Sequence, residues 1–282
     1  MNYKSTSYSS LDGIKLSGYL WLPQESPKAI INLVHGFGEY GERYDHWAMR
    51  FAGKGIAVHA LDYRGHGKSD GKRGYVSNFD DFLKDIDVLI EESEKLYPNV
   101  PQFIYGHSLG GNIVTNYILK REYKFKGAVI SSPWYRLSFK PSTLTLILAR
   151  LMNKIYPRFT QNSTLEATGL THDKDIVDQY IKDPLVHEKI SARMFFEIYS
   201  AGKWVLENTD KLNLPVLIQH GNDDHVTSFK ASKEFFEKAK SQEKDIKYKE
   251  WNGLYHELHN ELNKTEIFEY VLNWLEKIIE RK

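Results

Sequence analysis

"FIYGHSLGGNIVTNYIL", residues 103–119, passes from an apolar run through a serine bracketed by glycines into a second apolar pattern. Gly106, Ser108 and Gly110 fit G-x-S-x-G, the spacing of a nucleophile elbow, in which a strand turns into a helix so sharply that the serine hydroxyl stands out at the bend. Side chains at the two glycine positions would collide with neighbouring backbone. Three fixed positions give roughly 0.1 accidental matches in a chain of this length, so the flanks must decide. "PQFIY" (101–105) supplies a short buried strand, and Ile113, Val114, Tyr117 and Ile118 then fall on one face at helical spacing. Strand, serine, helix is the context the motif requires. A Gly-Ser turn at a helix N-cap is the plainer alternative.

Working outward, residues 14–22 ("IKLSGYLWL") alternate like a strand, while "AIINLV" (29–34) and "GIAVHAL" (55–61) look like fully buried strands. "FKGAVIS" (125–131), "PVLIQ" (215–219) and "IKYKEW" (246–251) continue the series. Helical stripes lie between them. Phe79, Phe82, Leu83, Ile86, Ile90 and Leu96 form one that Pro98 stops, and Ile267, Phe268, Val271, Leu272, Leu275, Ile278 and Ile279 form the last. Strands alternating with helices predict an α/β fold with a mostly parallel central sheet covered on both faces. Residues 134–206 break the rhythm and carry no convincing strand. There Leu144, Leu148, Leu151 and Ile155 share a helical face that Leu146, Ile147 and Met152 widen. The expected organisation is therefore a core of residues 1–133 and 207–282 with a helical cap, or lid, inserted at 134–206. The apolar stripe of that cap either packs on the core below or grips lipid.

Composition narrows the function classes. Thirty-eight basic residues against thirty-seven acidic ones leave a formal charge of +1 with no basic block, which argues against nucleic acid as a partner. The chain has no cysteine, so disulfides, thiolate metal sites and cysteine nucleophiles are excluded. The N-terminal stretch lacks the apolar core of a signal peptide, and no run approaches the roughly 18 apolar residues of a membrane span. The expectation is a cytoplasmic protein, at most peripheral to a membrane.

A serine hydroxyl is a poor nucleophile until a base takes its proton, so a working elbow requires a histidine held by a carboxylate. "VLIQHGNDDHV" (216–226) ends a buried strand with Gly221 and offers Asp223 and Asp224; "WNGLYHELHNE" (251–261) follows the last strand and offers His256 and His259. The order Ser, Asp, His is that of the α/β-hydrolases. Spacing alone does not choose within either pair.

"LVHGFGEYGERY" (33–44), "ALDYRGHGKSDGKRG" (60–74), "YGHSLGGNI" (105–113), "QYIKDPLV" (179–186), "VLIQHGNDDHV" and "GLYHELHNEL" (253–262) together resemble the monoacylglycerol lipases and their lysophospholipase-like relatives, members of the α/β-hydrolase fold. The resemblance spans nearly the whole chain and is loosest across the first cap helices. It implies the α/β-hydrolase fold with an inserted helical cap, and a serine hydrolase that cleaves monoacylglycerols through an acyl-serine intermediate without a cofactor or metal. By the resemblance Ser108 is the nucleophile, Asp224 the acid and His256 the base, with Asp223 and His259 their neighbours. The backbone N–H groups of Phe37 and Leu109 would form the oxyanion hole, Leu109 opening a helix whose free N–H groups favour negative charge. Glu39, Tyr180 and His259 match positions that contact the glycerol end of the substrate. Glu39 can accept from glycerol hydroxyls, and His259 and Tyr180 can donate or accept through a water. The implied partner is a small lipid ester, with transient contact to a lipid surface through the cap. His35, His66 and His107 are expected to be structural.

Four readings compete. Gly36, Gly38 and Gly41 spell G-x-G-x-x-G after a buried strand, with Asp62 ending the next strand 24 residues past Gly38, a dinucleotide fingerprint. Glu39 and Tyr40 would crowd a pyrophosphate there, and Ser108, Asp224 and His256 would be left without a role. "HELH" sets its histidines three apart where a zinc-binding H-E-x-x-H needs four, and Asn260 holds the required place. A lysophospholipase or broad carboxylesterase would use the same three residues. A non-catalytic small-ligand receptor on this fold would be favoured by loss of one of them, and none is lost.

Overall fold

The computed structural model describes residues 2–163 and 165–281. In chain order, β1 (Asn2–Ser9), β2 (Lys15–Leu22) and β3 (Ala29–Val34) precede α1 (Asp45–Gly53) and β4 (Ile56–Asp62). Then come α2 (Asp80–Leu96), β5 (Gln102–His107), α3 (Leu109–Lys120) and β6 (Phe125–Ser131). Next are α4 (Thr143–Ile155), β7 (Thr160–Asn162), α5 (Lys174–Lys182), β8 (Lys189–Ser191) and α6 (Ala192–Glu207). The chain closes with β9 (Val216–Gly221), α7 (Phe229–Ser241), β10 (Ile246–Trp251) and α8 (Lys264–Ile279).

Eight strands form one sheet in the order β1-β2-β4-β3-β5-β6-β9-β10. β2 pairs antiparallel with β1 and β4, and every pairing from β4 to β10 is parallel. A parallel sheet must be covered on both faces, and alternation along each strand divides the side chains accordingly. Phe103 and Tyr105 of β5 and Val129 of β6 join Trp47 and Phe51 of α1 and Phe268 and Leu275 of α8 in one core. Ile104, Ala128 and Ile130 point the other way, into a core with Ile86 of α2, Ile113 of α3 and Phe235 of α7. At roughly 1.5–3 kcal/mol per fully buried large side chain, these two layers hold the strand ends, and so the loops that carry the site.

Two elements depart from expectation. Residues 2–9 pair with β2 along their whole length, although no strand is predicted there. Their sequence, Asn-Tyr-Lys-Ser-Thr-Ser-Tyr-Ser, is exposed or half-buried throughout, so it has no apolar alternation to read. The second is a strand pair, β7 with β8, inside 134–206, where none is expected. At three residues each, these strands are too short to show a period.

Residues 134–206 are fixed unevenly. α6 buries Met194, Ile198, Ala201 and Val205, and Asn112 of α3 donates to the carbonyls of Trp134 (2.8 Å) and Ile198 (3.2 Å). α4 buries none of its residues: Leu144, Ile147, Leu148, Leu151 and Ile155 are all more than half exposed. Of the two fates considered for that stripe, packing on the core is not the one observed. No helix among the described residues is long and apolar enough to cross a membrane.

Candidate active site

The loops that end β3, β5, β9 and β10 meet at the carboxyl edge of the sheet, the edge where open α/β sheets hold their ligands. Ser108 stands at the β5–α3 bend with φ 54° and ψ −118°, a conformation that costs a non-glycine residue about 1–3 kcal/mol and persists only where the surroundings enforce it. Its N–H donates to the Ser131 carbonyl (3.0 Å), and its carbonyl accepts from the N–H groups of Asn112 and Trp134. The bracketing glycines are required by crowding. A Cβ at Gly106 would lie 2.4 Å from the Gly110 carbonyl oxygen, and one at Gly110 would lie 2.1 Å from that of Val34. The elbow is thus wedged against the backbone of the neighbouring strand.

Asp224 lies on the loop after β9 and His256 on the loop after β10, and His256 Nδ1 is 2.7 Å from Asp224 Oδ2. The carboxylate is fully engaged. Oδ1 accepts from the N–H groups of Val226 (2.7 Å) and Thr227 (2.9 Å). Oδ2 also meets the Thr227 hydroxyl (3.0 Å) and His220 Nε2 (2.9 Å), and the far ring nitrogen of His220 meets Ser232 Oγ at 2.8 Å. Burial alone would push the Asp224 carboxyl upward, but His256 and His220 outweigh it and hold the group well below the usual carboxylate range. Burial lowers His256 in turn, and the Asp224 charge more than offsets this, so its pKa is raised above the ordinary imidazole value. Asp223, by contrast, is half exposed and faces only His225 at 3.5 Å. Of each expected pair, the fold joins Asp224 to His256.

Ser108 and His256 line one pocket together with Phe37, Glu39, Tyr180 and Glu257. The backbone N–H groups of Phe37 and Leu109 have no hydrogen-bond partner among the described residues. Glu39 is fully buried and braces the loop from behind: Oε1 accepts from the N–H of Gly36 (2.5 Å) and from the Tyr44 hydroxyl (2.7 Å), and Oε2 accepts from Arg43. Tyr180, on α5, lines the pocket with the Arg43 guanidinium 4.7 Å from its ring centroid. His259 is placed differently from its expected contact with substrate. It is absent from the pocket lining, stacked on Tyr44 at 4.4 Å, and neither ring nitrogen has a partner. Burial lowers its pKa to about 3, so it is neutral at physiological pH.

Three contributors escape sequence reading: His220, Arg43 and Glu257. Arg43 closes a bidentate pair on Glu257, Nη1 to Oε1 at 3.1 Å and Nη2 to Oε2 at 3.2 Å, across 214 positions of sequence. Burial raises both carboxyls of the cluster. Glu39 stays raised, whereas Arg43 draws Glu257 down. The only available signals were that Arg43 lies four residues from Glu39, His220 four from Asp224, and Glu257 beside His256. The three histidines expected to be structural are buried, and burial depresses each below its ordinary pKa. The G-x-G-x-x-G run also finds another purpose. Gly38 has φ +75° with the His187 carbonyl 2.2 Å from where a Cβ would stand, and Asp62 caps Gly41 N–H at 2.8 Å.

The sequence and the fold that carry this site match known proteins. The serine aminopeptidase S33 family model matches residues 25–263. The chain belongs to that family. As an S33-family protein it is 37% identical over 273 residues to an uncharacterized abhydrolase domain-containing protein of Dictyostelium discoideum, covering 94% of this chain but 28% of that one. It is 35% identical over 253 residues to the monoglyceride lipase of Mus musculus, covering 89% of this chain and 82% of that one. The crystal structure of the Paleococcus ferrophilus monoacylglycerol lipase superposes with a TM-score of 0.82 at 31% identity, covering 99% of this chain and all of that one. This S33-family chain has the α/β-hydrolase fold, with a mostly parallel sheet flanked by helices.

Proposed function

We propose that this protein is a carboxylic ester hydrolase that cleaves monoacylglycerols to fatty acid and glycerol. The observation that carries the reading is the pocket itself. Ser108 and a His256–Asp224 pair open into one cavity with an apolar wall of Phe37, Trp134, Leu137, Leu165 and Val226 and a polar end of Glu39, Tyr180 and Glu257. That division suits an acyl chain ending in a small polyol. His256, its Nδ1–H held by Asp224, takes the Ser108 proton as Oγ attacks the ester carbonyl, and returns it to the leaving glycerol oxygen. Phe37 and Leu109 N–H groups hold the oxyanion, the latter aided by the start of α3. Water activated by His256 then releases the fatty acid from Ser108. Glu39 and Tyr180 meet the glycerol end. His259 acts from behind, by supporting Tyr44.

Residues 134–206 form the cap in this reading. The exposed face of α4, with Tyr156 and Phe159 beyond it, rests on the lipid surface that supplies substrate. The rodent lipase and the solved lipase carry the same activity in their names, whereas the family is described by an aminopeptidase, so substrate choice needs a panel. Monoacyl-, diacyl- and triacylglycerols, lysophospholipids and short aryl esters are compared with wild-type protein and Ser108→Ala. Monoacylglycerol turnover above the other lipids, abolished by the substitution, is the expected result. A preference for lysophospholipid would replace the lipase reading, and activity that survives Ser108→Ala would remove the nucleophile.

A further inference from the structure

The charged lining of the pocket points to a rule about head groups. Four carboxylates line it, Glu39, Glu166, Glu188 and Glu257, and no lysine or arginine does so among the described residues. Arg43, the cation bonded to two of these carboxylates, is already committed. Nη1 is shared between Glu39 and Glu257, Nη2 donates to Glu257, and the guanidinium faces the Tyr180 ring. The polar end therefore holds two carboxylates against one guanidinium, three of whose five N–H groups those carboxylates already take.

We infer that Glu257 makes this pocket reject anionic head groups, so that the enzyme accepts a neutral glycerol ester and excludes the same ester carrying a phosphate. The inference rests on the ester-hydrolase reading above and narrows it. An anion entering the polar end meets the oxygens of Glu257 and Glu39 in a site walled by apolar side chains, where charges are weakly screened. A glycerol hydroxyl can donate to those oxygens, which a phosphate oxygen cannot. Glu166 and Glu188, both exposed at the rim, add repulsion on the approach. Glu257 is the decisive member because it alone occupies both Nη groups of Arg43 in a bidentate pair. Replacing it by Gln leaves one acceptor oxygen, frees one N–H of a buried guanidinium and removes one carboxylate charge in a single step.

The test uses 1-octanoylglycerol and its 3-phosphate, first as substrates and then as competitive inhibitors of p-nitrophenyl butyrate hydrolysis. Wild-type protein is expected to prefer the neutral compound by at least tenfold in kcat/KM and in inhibition constant, on the order expected for like-charge juxtaposition. Glu257→Gln should narrow that ratio by about tenfold, chiefly through tighter binding of the phosphate compound. The double variant Glu166→Gln/Glu188→Gln, altered only at the exposed rim, should narrow it by a smaller factor. Equal affinity of wild-type protein for the two compounds overturns the inference, whatever the variants do. So does a folded Glu257→Gln protein with an unchanged ratio. Should Glu257→Gln fail to give a cooperative melt, an unchanged ratio in the rim variant overturns it instead. If neither octanoyl compound is hydrolysed while the aryl ester is, the monoacylglycerol reading falls and the inhibition ratio still judges the pocket.

Discussion

Replacing Asp224 by Asn exchanges one oxygen for an amide at a buried carboxylate that makes five hydrogen bonds within the protein. Asn Oδ1 can take over the bonds from the Val226 and Thr227 N–H groups, which fixes the orientation and leaves the amide where Oδ2 now meets His256, His220 and Thr227. His220 can adapt, because Ser232 can accept from Nδ1 as well as donate to it. His256 cannot adapt without loss. An amide donor facing Nδ1 places the ring proton on Nε2, the nitrogen that must be free to take the Ser108 proton. The fold should therefore hold while kcat falls by about 10⁴, close to 5.5 kcal/mol of transition-state stabilisation. Steady-state hydrolysis of p-nitrophenyl butyrate measures the rate, and a thermal melt of the same sample shows that folding is intact. Asp223→Asn is the control: its half-exposed carboxylate touches only His225, and a change within about threefold is expected. The reasoning fails if Asp224→Asn retains a tenth of wild-type activity with a normal melt, or if Asp223→Asn is the more damaging of the two.

Gly110→Ala puts a methyl group 2.1 Å from the Val34 oxygen and 2.3 Å from that of His35, both backbone, so a loss of roughly 3 kcal/mol or more in unfolding free energy should accompany loss of activity; a denaturant titration checks it. His256 acts as a base in its neutral form and its pKa is raised by Asp224, so kcat/KM should fall as pH drops through a midpoint above the ordinary 6.5, and a pH–rate profile with a midpoint below 6.5 contradicts this. His35, His59 and His259 are held to about 3 by burial, so the unfolded chain takes up protons first: stability should be lost as pH falls from about 6.5 toward 3, at up to ~1.4 kcal/mol per pH unit for each, read by melts across that range. Leu148→Ser together with Leu151→Ser alters only exposed positions of α4 and should weaken binding to lipid vesicles by about tenfold with little change in aryl-ester turnover, as vesicle co-sedimentation would record.

What could be read in advance follows from how each feature is written in the chain. The buried parallel strands and the stripes of α2 and α8 are periodic in apolar residues, so they are legible locally. The elbow is legible because steric demand at Gly106 and Gly110 leaves only one residue type. β1 is invisible to that reading, since its alternation is between polar residues, and β7 and β8 are too short. Within the site, the choice of Asp224 over Asp223 depends on which loop end carries a carboxylate toward the β10 loop, a fact of three-dimensional closure that spacing does not contain. His259 fits a motif position yet turns behind Tyr44, and the Arg43–Glu257 pair joins residues whose only sequence link is to their own neighbours. Motif position located the loops; packing decided which side chain each loop presents.

The floor of the pocket and helix α4 are stabilised by different means, and this bears on the proposed contact with a lipid surface. The floor is locked by backbone contact: Gly110 wedged beneath β3, Ser108 held in a strained bend by bonds to Ser131, Asn112 and Trp134, and Asp224 fixed by donors on both oxygens. α6 is anchored by burying its apolar face. α4 has no such anchor. A helix of 13 residues is marginal in water on its own propensity, and this one buries no side chain, its N-terminus held by the Ser142 hydroxyl accepting from the Thr145 N–H. Displacing it costs little core burial, whereas displacing α6 would expose Met194, Ile198 and Val205 together. The same exposed leucines and isoleucines that leave α4 weakly held in water give it a reason to sit at an apolar surface. Under the proposed reading, α4 can thus engage such a surface without disturbing the geometry of Ser108, His256 and Asp224.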